Sequence, residues 1–395
     1  MRVPALYMRG GTSKGVFFDA ADLPATPAER DALLLRIIGS PDPYGKQSDG
    51  MGGATSSTSK VVILARSHRA GYDVDYLFGA VAIDAPLIDW SGNCGNLSAA
   101  VGPAAIHLDL IDDNRAVQNG IQQVRIWQSN IGQQIVAYVP VSNGSPVEAG
   151  QFQEDGVTFA GAEIVLEFIE DGQPSTALLP TGNIVDQLDV PGVGPIEATL
   201  LTAGNPTVFI DAAAIGLSGA EMPMQINADP ALLARCEAIR AYAAVVMGLA
   251  PDMTSATRDR PATPKLSWLA PPATYQNSAG ETVAAEQIDV LARILSMGQL
   301  HHAFTGTGSI ALAVAAALPG SIAARVIAVV PGAASPLQAQ SRDDEKTPAQ
   351  LRIGHVSGRL AIGATVRHDA AGWRMEKAIL SRSARVIMSG WVHCP

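Results

Sequence analysis

The chain is poor in the residues that staple, anchor or heavily charge a protein. It has 3 cysteines in 395 residues, Cys94, Cys236 and Cys394, with no paired spacing. That excludes a disulfide framework and a zinc module built on cysteine pairs, and it fits a reducing compartment. Aromatic residues make up only 5% and charged residues 16%. The longest apolar run, 310–318, is too short to cross a membrane. The start, Met1-Arg2-Val3-Pro4, lacks the apolar core of a secretion signal. A net charge of −10 argues against nonspecific nucleic-acid binding. It leaves an anionic substrate open, because local fields decide that. The expectation is a cytoplasmic protein with neither a nucleic-acid nor a membrane partner.

What is abundant points to a large core with many turns. Hydrophobic residues reach 47%, with 38 glycines and 26 prolines. The length predicts two or three domains. Short strands dominate the reading: 3–8, 16–18, 61–64, 73–83, 87–90, several between 121 and 170, and a strand–turn–strand over 198–210. Later strands are expected at 324–330, 350–353, 359–366, 373–380 and 385–393. Thr26-Pro27-Ala28-Glu29 is a capping-box pattern opening a helix that stops at Gly39. Further helices are expected at 96–110, with a kink or break at Gly102-Pro103, at 230–247 and at 284–297. Residues 40–60 and 252–264 read as polar loops, and the Pro/Gly-rich 171–198 as a crossing between domains.

The most informative stretch is Ser91-Gly92-Asn93-Cys94-Gly95-Asn96-Leu97-Ser98. It reads as a tight turn feeding a small-residue apolar helix. The first turn of a helix has unpartnered N–H groups and the positive end of the dipole. A thiol there is activated and a bound carboxylate is stabilised. A buried structural cysteine beside a cap fits the residues equally well. A degenerate echo follows later: Thr305-Gly306-Thr307-Gly308-Ser309 precedes a second all-apolar run. Helices apolar on every side belong in the middle of a domain. Two of them among short strands suggest two similar domains, each wrapped on a central helix.

Lys60 stands where the long polar loop enters an apolar strand, held by the framework. A lysine near other positive charge, or out of water, becomes a general base. Arg9, Lys14 and a helix N-terminus would supply that charge. The turn Arg9-Gly10-Gly11-Thr12-Ser13-Lys14-Gly15 does not have P-loop spacing. Ser57-Thr58-Ser59-Lys60 satisfies the Ser-x-x-Lys pattern of serine hydrolases, though without its partner motifs. His301-His302 lacks further spaced ligands, so no metal is expected. One of the pair, His302, is taken as a substrate hydrogen-bonding group. A non-catalytic carboxylate-binding protein stays open as a second class.

With those residues quoted, the chain resembles the PrpF family of isomerases over essentially its full length. The carriers are Met8-Arg9-Gly10-Gly11-Thr12-Ser13-Lys14-Gly15, Gly39-Ser40-Pro41-Asp42-Pro43, the run from Asp49 to Lys60, Asn93-Cys94-Gly95-Asn96, and Ser381-Arg382-Ser383-Ala384-Arg385. The resemblance implies an α+β, diaminopimelate epimerase-like fold: two pseudo-symmetric domains, each a curved sheet around a central helix. The expected boundaries are 1–184 plus 383–395 for the first domain, and 185–382 for the second. Epimerases of that fold carry a cysteine at each central helix. Here Thr305 stands where the second thiol would be, which disfavours two-thiol racemisation. The resemblance matches Lys60 and Cys94 to the family's catalytic pair and Asn205-Pro206 to its substrate-binding turn.

Expected binding residues are Arg9, Thr12, Ser13, Lys14, Ser59, Asn93, Gly95, Asn96, Leu97, Asn205, His302, Thr305, Gly306, Thr307, Gly308 and Ser309. The implied activity is cofactor-independent cis–trans isomerisation of 2-methylaconitate in propionate breakdown, alongside an aconitase-like 2-methylcitrate dehydratase. The family's 4-oxalomesaconate and methylitaconate isomerisations are the alternatives. A homodimer is a further expectation.

Overall fold

Alternating burial shapes the strands, and complete burial shapes two of the helices. The computed structural model describes residues 1–170, 177–329, 335–337, 349–370 and 372–394. It is an α+β chain that divides into two compact units, Met1–Phe168 with Ser381–Pro395, and Ile169–Leu380. The sequence reading places the changeovers at 184/185 and 382/383. Part of its expected crossing segment, 171–176, lies outside the described residues.

In the first unit, β1 (Arg2–Gly10), β2 (Ser13–Asp19), β3 (Lys60–Arg66), β4 (Val74–Val81), β5 (Asn119–Gln128) and β6 (Gln133–Ser142) build the sheet, with α1 (Pro27–Ile38) and α2 (Gly95–His107). The strand Ala384–His393 returns to pair antiparallel with β1. From there the pairing runs antiparallel to β2, parallel to β3, antiparallel to β4, parallel to β5 and antiparallel to β6. β5 buries every second residue over much of its length, the period of a sheet with one solvated face. α2 is buried from Gly95 through Ala105 and lies against β1, β2 and β6.

The second unit uses β7 (Asp186–Val190), β8 (Gly194–Ala203), β9 (Asn205–Asp211), β10 (Lys265–Ala270), β11 (Val290–Ser296), β12 (Gln350–His355) and β13 (Gly358–Asp369). Its helices include α3 (Pro230–Val246), α4 (Gly306–Ala317) and α5 (Ile322–Ala328). The pairing from β7 to β13 is antiparallel, antiparallel, parallel, antiparallel, parallel, antiparallel. That is the same succession of senses as in the first unit. All of α4 is buried, against β8, β9 and β13. Ile310, Leu312 and Val314 are inaccessible to water, and each contributes about 1.5–3 kcal/mol by burial. The repeat expected from the two apolar helices is therefore present in strand pairing.

Five local expectations are corrected. Residues 290–296, expected helical, form β11, in which all seven side chains are buried; a run buried on every side carries no period that separates strand from helix. Residues 324–328 of the strand expected at 324–330 belong instead to α5, because Ser321 caps it by accepting from Ala324 N, and residue 330 lies outside the described residues. Residues 253–259, in an expected loop, form a short helix capped by Asp252, whose side chain accepts from Ser255 N. α2 runs unbroken through Pro103, its tight burial supplying what one lost helix bond removes. At α1, the Thr26 hydroxyl bonds to the Glu29 carboxylate rather than to a backbone N–H, so the capping box is not formed. Among the described residues, no single helix is long and apolar enough to cross a membrane.

Candidate active site

Lys60 opens β3 and is fixed from both sides. Antiparallel pairing with β4 sets it opposite Ala80, and parallel pairing with β2 starts one residue later, at Val16 and Val61. The loop before it is held by its own polar groups. Buried Gln47 accepts from Ala54 N at 2.8 Å and Ser59 Oγ at 2.7 Å, and its Nε2 donates to Ser40 Oγ at 2.9 Å. The loop backbone also ties to α1, with Met51 N donating to Ile37 O at 2.8 Å. A segment without regular structure thus delivers Lys60 to a defined place.

Cys94 is the N-cap of α2. Its Sγ accepts from Leu97 N at 3.4 Å. Its carbonyl accepts from Ser98 N at 2.9 Å, Ser98 Oγ at 3.0 Å and Tyr76 OH at 3.4 Å. Burial pushes the Tyr76 phenol well above its ordinary pKa, so it stays a donor. Lys60 Nζ lies 3.2 Å from Cys94 Sγ and donates to Ser13 Oγ at 2.9 Å. It also lies 5.8 Å from the centre of the Phe78 ring. Lys60 and Cys94 are each 7% exposed. An amine and a thiol sharing one proton leave one basic and one acidic atom side by side. Out of bulk water, that is the minimal equipment for moving a proton.

The glycine turn between β1 and β2 exists to let this happen. A Cβ on Gly10 would sit 2.6 Å from Asn96 O, and one on Gly15 would sit 2.9 Å from Lys60 O. Only glycine allows the β1–β2 hairpin to touch the first turn of α2 and the base of Lys60. From that turn, Thr12 Oγ1 accepts from Asn96 Nδ2 at 3.0 Å. Arg9 is committed to carbonyls, donating to Gly11 O at 3.1 Å and Ser383 O at 2.9 Å. Burial lowers its pKa, against the pull of Glu154. Lys14 lies 5.3 Å from the centre of the Tyr7 ring. Asn93 is buried beside Cys94. Ser59 is engaged by Gln47, as above. Thr12, Ser13, Lys60, Cys94, Gly95, Asn96 and Leu97 are thus brought together. Ser57 sits in a turn with Thr55 Oγ1 3.0 Å away. The helix that a Ser-x-x-Lys hydrolase needs between its serine and lysine is not formed there.

The second unit repeats the arrangement without a thiol. Thr305 is the N-cap of α4, and its Oγ1 accepts from Gly308 N at 3.1 Å. Asn205 Nδ2 donates to Thr307 Oγ1 at 2.9 Å, and Ser309 Oγ donates to Gly306 O at 2.7 Å. The N–H groups of Leu97, Gly308 and Ser309 already have acceptors within their caps. His301 is buried and stacks on His302, which is exposed, with ring centres 4.7 Å apart. Lys265 opens β10 as Lys60 opens β3. It is also 7% exposed, and its Nζ donates to Ala262 O at 3.2 Å. Among the described residues, no group of three or more His, Cys, Asp or Glu side chains could hold a metal ion.

Sequence reasoning missed the groups behind the cysteine turn: Tyr76, Glu154, and the part played by Arg382. Arg382 Nε donates to Asn96 Oδ1 at 3.1 Å and lies 3.1 Å from Glu154 Oε1. The motif Ser381-Arg382-Ser383 was visible, but nothing near it in sequence names its partners. Glu154 lies in an irregular stretch that gives no signal.

The chain matches the PrpF protein family over residues 1–395. It is 51% identical over 404 aligned residues to a 2-methyl-aconitate isomerase of Shewanella oneidensis, covering 100% of this chain and 97% of that one. The crystal structure of a methylitaconate-delta-isomerase superposes with a TM-score of 0.73 at 35% identity, covering 99% of this chain and 95% of that one. A hydroxyproline epimerase from Agrobacterium vitis shares the fold, with a TM-score of 0.53 at 12% identity over 99% of this chain and 92% of that one. The chain is an isomerase with an epimerase-like fold, and it belongs to the PrpF family.

Proposed function

We propose that this isomerase interconverts the cis and trans forms of 2-methylaconitate, with Lys60 and Cys94 moving the proton. The observation that carries the reading is the 3.2 Å approach of Lys60 Nζ to Cys94 Sγ at the buried N-terminus of α2. The identity to the relative named 2-methyl-aconitate isomerase supports the choice of substrate. The basic member of the pair removes a proton from the carbon allylic to the substrate double bond. The C–H electron pair enters a dienolate conjugated with a carboxylate. The former double bond is then single and rotates. The acidic member returns a proton to the allylic carbon, and the double bond reforms in the other geometry. The conjugated carboxylates serve as the electron sink, so the reaction needs no metal or organic cofactor.

Carboxylates are held by the first-turn N–H groups of Gly95 and Asn96, with Thr12, Ser13 and Lys14 beside them. Within the second unit, Gly306 and Thr307, with Asn205 and His302, repeat this set of donors. Arg9, Ser59, Asn93 and the caps at Thr305, Gly308 and Ser309 support these donors from behind. The protein works in the cytoplasm, downstream of an aconitase-like dehydratase that forms 2-methylaconitate. An allylic shift, in which the proton returns to a different carbon, is the second reading. It is favoured by the 35% identity to the methylitaconate-delta-isomerase structure.

Proton NMR in D2O tests both. With 2-methylaconitate, cis and trans signals should equilibrate and deuterium should enter the allylic position. With 4-oxalomesaconate or methylitaconate, the same preparation should be slower. Binding of 2-methylaconitate with neither change would sink the isomerisation of that substrate.

A further inference from the structure

We propose that Arg382 is a positioning residue for Cys94, acting through Asn96. Arg382 comes from the far end of the chain and is almost completely buried, with 4% of its side chain exposed. Its Nε donates to Asn96 Oδ1 at 3.1 Å, and the other end of that amide, Nδ2, donates to Thr12 Oγ1 at 3.0 Å. A guanidinium can only donate, so the amide oxygen must face it and the amide NH2 must face the hydroxyl. Asn96 is therefore fixed at both ends. It lies between Cys94 and Leu97, the residue whose N–H caps the sulfur. The fit is close. A Cβ on Gly11, which has φ +51°, would lie 3.0 Å from both Arg382 Cδ and Asn96 Oδ1.

The charge is balanced behind the turn. Glu154 Oε1 lies 3.1 Å from Arg382 Nε, and its Oε2 accepts from Ser383 N at 3.1 Å and Ser383 Oγ at 3.3 Å. Burial lowers the guanidinium pKa, while Glu154 and then Cys94 oppose that by attraction. Stability alone does not call for such a pair. A buried ion pair is commonly replaced by apolar residues at no loss, because desolvation offsets its attraction. What an apolar replacement cannot do is orient Asn96.

The inference rests on Cys94 being part of the reactive pair, so its test has an arm that needs no substrate. The variant Arg382→Met/Glu154→Leu removes both charges of the pair together, and Arg9, which Glu154 also attracts, keeps its bonds to the Gly11 and Ser383 carbonyls. Three quantities are measured: the thermal midpoint, kcat and KM on 2-methylaconitate, and the iodoacetamide alkylation rate of Cys94, with Cys94→Ser as the blank. The double variant should fold, lose roughly tenfold to a hundredfold in kcat with a smaller change in KM, and alkylate more slowly, the scale of losing an orienting partner. Adding Asn96→Leu should cost little more, because both changes break one contact chain. A folded double variant with parental kcat overturns the proposal, as does a full further loss on adding Asn96→Leu. If the parent turns over no carboxylate offered, the alkylation arm still decides: a slower rate supports the proposal, and an equal or faster rate overturns it. Should the double variant fail to fold, Arg382→Lys gives the same two readings, because an ammonium cannot reproduce the guanidinium geometry.

Discussion

Thr305 holds on α4 the place that Cys94 holds on α2. Each is the N-cap of a buried helix, and each side chain accepts the N–H three residues on, at 3.1 Å in one case and 3.4 Å in the other. The hydroxyl caps as the thiol does, but it has no comparable acidity. Thr305 is thus a structural cap in a position built like a catalytic one. Replacing it with valine keeps the shape and removes the acceptor, leaving Gly308 N buried without it. The expected loss is about 1 kcal/mol, read as a lower urea midpoint. Thr305→Ser should stay near the parent. Equal midpoints for Thr305→Val and Thr305→Ser would show that the bond caps nothing.

The reactive pair itself sets the sharpest prediction. Lys60→Met and Cys94→Ser should each fold and lose roughly 100-fold to 10,000-fold in kcat, the usual range for a general acid or base. Ser13→Ala should lose less, since Ser13 fixes Lys60 Nζ and borders the carboxylate but moves no proton. Deuterium exchange into substrate should fall in step with kcat in all three. Full turnover in Lys60→Met would remove Lys60 from the mechanism.

Gly10→Ala tests the closeness of the hairpin to α2. The new Cβ would meet Asn96 O at 2.6 Å and Leu97 Cα at 3.0 Å, both backbone atoms with no flexible end to move. The expected cost is about 1–3 kcal/mol of stability, together with a kcat loss, because the displaced turn carries Cys94. Gly182→Ala is the comparison. It has a strained φ of +79° but meets nothing within 4 Å, so it should destabilise without altering kcat in the folded protein.

These predictions rest on different degrees of sequence legibility. The cysteine turn could be read because glycine and asparagine punctuate it, and Lys60 because β-branched residues follow at once. The second helix could be read as an echo of the first. Full burial hid the state of 290–296, where VLARILS offers no polar face to fix a period, and even Arg293 is inside. The β-branched residues after Ala324 suggest a strand at 324–330, and the cap at Ser321 that makes 322–328 a helix lies outside that window. The identical succession of strand pairings, and with it the likeness of Lys265 to Lys60, belongs to hydrogen bonding between distant segments. No local pattern encodes that. The same holds for Glu154, whose partner Arg382 lies near the other end of the chain.

Glu170 gives a prediction about pH that is independent of catalysis. Burial pushes its carboxyl up to about 7, while the Met375 N–H and the Arg374 charge pull it back down. The raised value means that the folded chain holds a proton there which the unfolded chain has already lost. Between the ordinary carboxylate range and about 7, folding therefore takes up a proton, and stability falls as pH rises. The stabilising contribution is full below the ordinary carboxylate range and is lost on passing through about 7. Glu170→Gln keeps the shape and cannot ionise. Urea midpoints measured from about pH 5 to about pH 8 should fall more steeply in the parent than in Glu170→Gln, with the difference accumulating up to about pH 7 and levelling off above it. Parallel slopes for the two proteins would place this carboxylate in water, whereas a steeper parent slope identifies it as a buried group whose charge the fold resists.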